Sequence, residues 1–458
     1  MRRRGRLSVG FVLTVVAVVA FAPAAGARRW TRIASGGMNV SDQVGLARSS
    51  DGVLHVAWRR QGSTQELSQT PIVASGRVGS PVTIVSGWAS VGSPALVGQG
   101  RVLSAFFPGT ATLTTGDPTY GLDLARSDNA GASWRLSPTA IARNQFAFAS
   151  TPAAVGVSGS FVQAWSGPDS TVVHTGLDPN VPPLGGYGSG TDQALAAAAD
   201  GQVMVAWCNE LAAGPSVFLA HVDPATGARI GDVVPLEASG GCPADTRVAL
   251  ASFRDIVRNG RNGQPLFYVA ASDEFGHVYV YVTTPQGHLV LIEAEPFGSV
   301  KQQIAISATP HGRIWVGWKD SATGDLVFRR SDPRDGYYGA AVTVHLPPGQ
   351  TISQLALNAQ DDRLDAIATT SDDNNTVSLF ATQVLPGLTL EPETAKRTER
   401  FRVLDAGIPV RDATVKVARR TLTTDSSGYA MTRLPPGSYT AAASKRGYVN
   451  ASVQIRIP

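Results

Sequence analysis

The side chains best suited to hold a metal or move a proton near neutral pH are the seven histidines and two cysteines of this 458-residue sequence. They do not gather. His55, His221 and His277 each sit in a run of β-branched and aromatic residues, the ordinary setting of a strand histidine. No His-x-x-x-His or Glu-linked zinc motif occurs. No Gly-x-Ser-x-Gly elbow carries a nucleophilic serine; Gly188-Ser189-Gly190 is a loop fragment. No glycine-rich phosphate cradle precedes a helix. The acidic loops Asp332-Pro333-Arg334-Asp335-Gly336 and Asp372-Asp373-Asn374-Asn375 offer oxygen ligands that would suit Ca²⁺, but without EF-hand spacing. Turn chemistry accounts for both without a metal. The expectation is no catalytic residue, no metal site and no cofactor, with Ca²⁺ the one ion worth testing.

Cys208 and Cys242 are too few for a zinc site without clustered histidines. In an exported chain they read as one disulfide. It would close a loop of about 35 residues and remove about 4 kcal/mol of unfolded-state entropy. Two buried thiols, or pairing with another chain, are the alternatives.

Export is read from the first residues. Arg2, Arg3, Arg4 and Arg6 precede an apolar run from Leu7 to Phe21, and Ala25-Gly26-Ala27 has the small-x-small pattern of a signal-peptidase site. Residues 1–27 are therefore read as a signal peptide cut after Ala27, and the protein as secreted or cell-surface; a retained anchor is the alternative. No second apolar stretch of spanning length follows. The leader also explains the basic balance. The chain has 39 Lys+Arg and 35 Asp+Glu; four arginines leave with residues 1–27, so the remainder is 35 against 35. Nucleic acid is not implied. Within that remainder, residues 388–458 hold 12 basic and 6 acidic residues, and residues 28–387 hold 23 and 29. These opposite signs read as two independently solvated surfaces rather than as docking faces.

The elements that would position any site come from a repeat. Asp51-Gly52 precedes Leu54-His55-Val56-Ala57-Trp58; Asp200-Gly201 precedes Val203-Met204-Val205-Ala206-Trp207; His311-Gly312 precedes Ile314-Trp315-Val316-Gly317-Trp318. Weaker copies end at Phe107, Trp165, Ala271 and Ala368, giving intervals of 49, 58, 42, 64, 47 and 50. Most are followed by a second alternating run, such as residues 216–221, 277–282 and 326–330. Alternation, β-branched content and Gly/Asp/Pro punctuation predict strands throughout. Residues 194–199, the best helical candidate, suit a strand in the repeat. Units of about 50 residues with several strands each predict a β-propeller over residues 28–387, seven-bladed, with six blades the alternative. Trp58, Trp165, Trp207 and Trp318 then occupy equivalent places, as packing between blades rather than as sugar platforms.

Residues 124–134, Leu-Ala-Arg-Ser-Asp-Asn-Ala-Gly-Ala-Ser-Trp, resemble the Asp-box of sialidase-like propellers, Ser-x-Asp-x-Gly-x-x-Trp. Ser127, Gly131 and Trp134 match, and Asn129 replaces the Asp. A more decayed copy spans residues 329–338, with Ser331 and Tyr338 at the outer positions. The box is implied to be a structural turn, not a catalytic centre. The enzymes of that family are implied to need an arginine triad, an early Arg-Ile-Pro, an aspartate acid and a Tyr–Glu nucleophile pair. Here Arg32-Ile33 is followed by Ala34, and no triad can be assigned.

Residues 388–458 resemble carboxypeptidase regulatory-like and bacterial Ig-like domains. The resemblance is carried by residues 403–417 (strand, turn, strand), by the turn Asp425-Ser426-Ser427-Gly428, and by Leu434-Pro435-Pro436-Gly437 and Arg446-Gly447-Tyr448. It implies a small transthyretin-like β-sandwich with structural or adhesive roles. The expected protein is all-β: a secreted, non-catalytic binding or adhesion protein whose propeller mouth takes a carbohydrate or a surface protein. A sialidase-like exo-glycosidase and a purely structural surface protein are the alternatives.

Overall fold

The computed structural model describes residues 29–111, 121–143, 151–167, 170–188, 191–198, 200–209, 217–236, 249–252, 267–272, 276–283, 289–295, 298–333, 336–395 and 398–457. The leader and Cys242 lie outside these residues. Every regular element described is a β-strand, residues 194–197 included. No helix among the described residues is long and apolar enough to cross a membrane.

Seven antiparallel sheets occupy residues 31–384. The first pairs Gly45–Arg48, Leu54–Gln61, Gln65–Ile72 and Val82–Trp88 in chain order. The second is built on Ala95–Gln99, Val102–Thr110 and Gly121–Ser127, with short strands at its margins. The third comprises Ala153–Val157, Ser160–Ser166 and Thr171–Thr175. The fourth runs Thr191–Ala197, Val203–Cys208, Val217–Val222, Arg229–Pro235; the fifth Ala249–Ser252, Phe267–Ser272, Val278–Thr283, Leu289–Glu295. The sixth runs Lys301–Ala308, Ile314–Asp320, Leu326–Arg330, Val342–Val344. In the seventh, Thr351–Ala359, Leu364–Ser371 and Val377–Val384 are completed by Thr31–Ser35 from the start of the chain, with Thr31 opposite Ala381 and Ser35 opposite Ser378. The first strands of successive sheets touch one another in order, and that of the seventh touches that of the first, so the sheets close a ring.

The core lies between sheets, and the repeated tryptophans explain how. Trp58 packs on Ile367 and Leu379 of the seventh sheet, and Trp165 on Phe106 and Leu122 of the second. Trp207 packs on Val162 and Val173 of the third, and Trp318 on Tyr268 and Val280 of the fifth. Each is buried against the sheet that precedes its own in the ring. An indole in such a seam is the adhesive between neighbours and is closed to a sugar.

Residues 389–457 form two further sheets. One holds Thr389–Ala395, Thr398–Asp405, Ile408–Pro409 and Tyr429–Thr432; the other holds Arg420–Thr423, Thr414–Val417, Gly437–Ser444 and Ala451–Ile457. Phe401, Val403, Val415, Ala441 and Ile455 share one core between them. Thr389–Ala395 and Thr398–Asp405 pair antiparallel along their length. Glu391 lies opposite Arg402 and Glu393 opposite Arg400; alternating charge that looks like a linker is here a set of cross-strand pairs.

The C-terminal sheets dock on the sixth sheet of the ring, contrary to the expectation of separately solvated surfaces. Asp405, nearly buried, accepts hydrogen bonds from Arg313 (Nη1 to Oδ2 2.7 Å, Nη2 to Oδ1 3.1 Å) and from Arg330 Nη2. Tyr448 Oη lies 3.4 Å from the same carboxylate. Gly339 packs directly on Ala406, where a side chain on the glycine would collide with the Ala406 backbone at 2.9 Å. Val449 N donates to Pro386 O (2.9 Å) and Leu388 N to Val449 O (3.1 Å). The net charges would put acid on the ring and base on the module; the contact reverses those signs. Net charge sums exposed groups, whereas docking is decided by the few that are desolvated.

Candidate functional site

The first strands of the ring leave a central cavity of about 670 Å³. Small and branched residues line it because inward-facing strands converge there: Ala47, Gly98, Gly156, Ala197 and Ala308 among wider Leu, Val and Ile positions. A larger side chain at Gly98 would meet the Arg48 carbonyl at 2.9 Å, so adjacent sheets approach closely at that point. The volume falls in the range of about 300–1,000 Å³ usual for ligand sites.

Of the described lining residues, Arg48 alone is ionisable. It is held by three acceptors: Asn358 Oδ1 (from Nε, 3.0 Å), Gly52 O (from Nη1, 2.8 Å) and Asp365 Oδ2 (from Nη2, 2.5 Å). Burial lowers its pKa, and Asp365 counters the shift. Asp365 is itself buried and also accepts from Gln383 Nε2 at 2.8 Å. Arg48 thereby ties the first sheet to the seventh.

Behind Arg48 lies a Ser–Asp–His grouping that the sequence did not single out. Ser49 Oγ is 2.6 Å from Asp51 Oδ1 and 2.9 Å from His55 Nε2, while His55 Nδ1 is 2.9 Å from Gln69 Nε2. The proton count decides what it can do. Asp51 only accepts, so the single Ser49 proton goes to it, and Ser49 must then accept from His55 Nε2–H. That leaves Nδ1 to accept from the Gln69 amide. The imidazole holds its proton on the side facing Ser49 and cannot serve as that hydroxyl's base. Burial pushes the His55 pKa down to about 4, and the ring is neutral at neutral pH.

This histidine supports the turn that resembles an Asp-box. Ser127 Oγ accepts from Gly131 N (2.8 Å) and donates to Asn129 Oδ1 (2.9 Å); Asn129 Oδ1 also accepts from Ser133 N (3.0 Å). Asn129 thus does here what a carboxylate oxygen would do, and its Nδ2 adds a donor to Ser133 Oγ at 2.8 Å. Gly131 has φ +79°, and a Cβ there would lie 2.6 Å from Gln69 Oε1 and 3.1 Å from His55 Nδ1. The turn of the second sheet is seated on the first. Trp134 packs against the core between these sheets. None of Ser127, Asn129, Gly131 and Trp134 lines the cavity. In the decayed copy, Ser331 Oγ accepts from Ile314 N at 2.9 Å, and Ser331 pairs with Tyr338 as an isolated bridge.

The remaining sequence candidates fall elsewhere. Arg32 is exposed on the outer strand of the seventh sheet, away from the cavity lining. Cys208 is buried at the end of its strand, and Cys242 lies outside the described residues. Asp372 Oδ1 accepts from Asn374 N (3.0 Å) and Thr376 N (2.8 Å), and Asp332 Oδ1 from Gly336 N (2.9 Å). Each carboxylate closes its own turn. Among the described residues no three His, Cys, Asp or Glu side chains come together as a metal would require.

No family model matches the chain, and no curated protein sequence does. Solved structures do match. A fungal alcohol oxidase of the AA5 family, solved in complex with copper, aligns over 94% of this chain and 100% of its own at 11% identity and TM-score 0.50. SapL1 lectin in complex with α-methyl fucoside aligns over 68% and 99% (13% identity, TM-score 0.41). The GH43_1 enzyme from Xanthomonas citri aligns over 79% and 91% (9% identity, TM-score 0.35). These neighbours are β-propeller proteins. The fold is of propeller type. At such identities the likeness carries the fold alone, and chemistry has to be argued from the residues of this chain.

Proposed function

We propose that this chain is an exported, non-catalytic binding protein: a seven-bladed propeller whose central mouth takes a ligand, with a transthyretin/Ig-like sandwich docked on its sixth blade. The cavity carries the reading. Its size suits a ligand, and its described lining supplies neutral hydrogen-bonding groups and apolar walls. Arg48, the ionisable residue of the described lining, is committed to Asp365. Acid–base chemistry on a glycoside needs two carboxyl groups facing the substrate, and the lining described offers none. A sialidase-type reading needs three converging arginines, and the described lining gives one. Carbohydrate, or the polar surface of another protein, is the ligand class. The leader supports a secreted or cell-surface location, and Cys208–Cys242 as one disulfide is consistent with it.

The test is a glycan array with the purified mature chain, repeated with Leu195→Trp, which places an indole in the cavity wall. Binding that disappears in the variant, at unchanged thermal stability, supports the mouth as the site. Binding that survives Leu195→Trp, or release of free sugar from a bound glycan, refutes the proposal.

A further inference from the structure

We infer that the ligand of this mouth is uncharged, a neutral sugar rather than one bearing a carboxylate; the inference rests on the binding reading above. A carboxylate that sheds its water to enter this mouth needs a partner cation, because desolvating a charge unpaired is prohibitive. Arg48 is the candidate the described lining provides. Three of its N–H groups already point at Asn358, Gly52 and Asp365. Its charge is answered by Asp365, whose side chain is 3% exposed. Recruiting Arg48 to a ligand would leave that carboxylate buried, with the Arg363 guanidinium 3.8 Å away as its remaining cation. An anion at the mouth would therefore meet a neutral pair, not a free guanidinium.

The other polar groups of the wall are neutral. Ser49 gives its proton to Asp51 and accepts from His55, while Ser307 Oγ accepts from Ala359 N (3.0 Å) and Thr309 Oγ1 from Arg313 N (3.0 Å), which leaves each of these two its own O–H to donate. Asn358 uses its oxygen on Arg48, which leaves its amide N–H₂ as a donor toward hydroxyl or carbonyl oxygen. Apolar positions such as Leu46 and Leu357 border the same space. Neutral amide and hydroxyl donors beside aliphatic walls match the alternating hydroxyl and C–H faces of a neutral sugar.

The experiment compares matched oligosaccharide pairs that differ only in a terminal neutral hexose against a terminal sialic or uronic acid. Titration calorimetry is run at about 50 and about 500 mM NaCl. The expected result is at least tenfold tighter binding of the neutral member, with an affinity that changes less than twofold with salt. In the double variant Arg48→Met/Asp365→Leu, which removes the pair together, the preference for the neutral member over the acidic one should persist, because the pair presents no net charge to a ligand. Preference for the acidic member, weakened by salt and lost in the double variant, would overturn this inference while leaving the binding reading intact. Binding of neither member would overturn the binding reading and this inference with it.

Discussion

Asp405 is the residue on which the docking of the C-terminal sheets can be measured. Its side chain is 6% exposed, and it faces Arg313 and Arg330, which are 13% and 4% exposed. Asp405→Ala leaves two guanidinium groups at a desolvated contact without their counter-charge. Removing one partner of a buried pair costs about 3–5 kcal/mol, which is a factor of roughly 10² to 10³·⁵ in a docking equilibrium at 1.4 kcal/mol per decade. The sandwich core of Phe401, Val403, Val415 and Ile455 does not include Asp405, so the loss should fall on docking and spare the module's own fold. The indole of Trp315 lies 5.6 Å from the Arg330 guanidinium and gives a fluorescence signal at the contact. In urea, Asp405→Ala should shift that signal to lower midpoint and expose the segment around Pro386-Gly387 to protease before the ring unfolds. The apolar triple variant Arg313→Met/Arg330→Met/Asp405→Leu should recover most of the loss, because a buried ion set exchanged for packed apolar groups no longer carries its desolvation cost. An Asp405→Ala protein with the wild-type midpoint to within about 0.5 kcal/mol and unchanged protease resistance would refute the reasoning.

Three further outcomes are expected. His55 titrates near 4 when folded and near 6.5 when unfolded, so unfolded chains take up the proton first as pH falls. Stability should be full above about pH 6.5 and fall by about 3 kcal/mol by pH 4; urea midpoints against pH would show it, and His55→Gln should flatten that slope. Gly131→Ala combines a left-handed φ with a 2.6 Å contact to Gln69, and should lower stability by about 2–4 kcal/mol in calorimetry, more than Ser133→Ala on the exposed side of the same turn. Non-reducing mass spectrometry should find Cys208 linked to Cys242, and reduction should cost about 4 kcal/mol in the urea curve; two free thiols would refute the bridge.

Much of the ring was legible because its signals are local. Strand alternation at residues 54–58, 203–207 and 314–318 needs only near neighbours, and the recurring tryptophan marks a seam that every sheet must fill. The features that escaped are those made by distant partners. Nothing in Thr31–Ser35 names the seventh sheet as its place. Asp405 looks like a turn residue before Ala406-Gly407, and its partners are 92 and 75 positions away. The cavity is invisible in sequence because the small residues lining it are also those of any tightly packed strand. The Ser49–Asp51–His55 spacing was readable, but its proton order depends on Gln69, which joins only when two strands pair.

The strand that closes the ring comes from one end of the fold and its seat from the other: Ser35 and Ser378, whose hydroxyls meet at 3.1 Å, are 343 positions apart. Until it arrives, Val377–Val384 presents an open row of N–H and C=O groups, the kind of edge that recruits any compatible strand. A chain cut between Ser35 and Gly45 would lose Thr31–Ser35 and keep that edge open. Mixed with intact chains it could take the strand from a second copy, so such mixtures should form concentration-dependent assemblies.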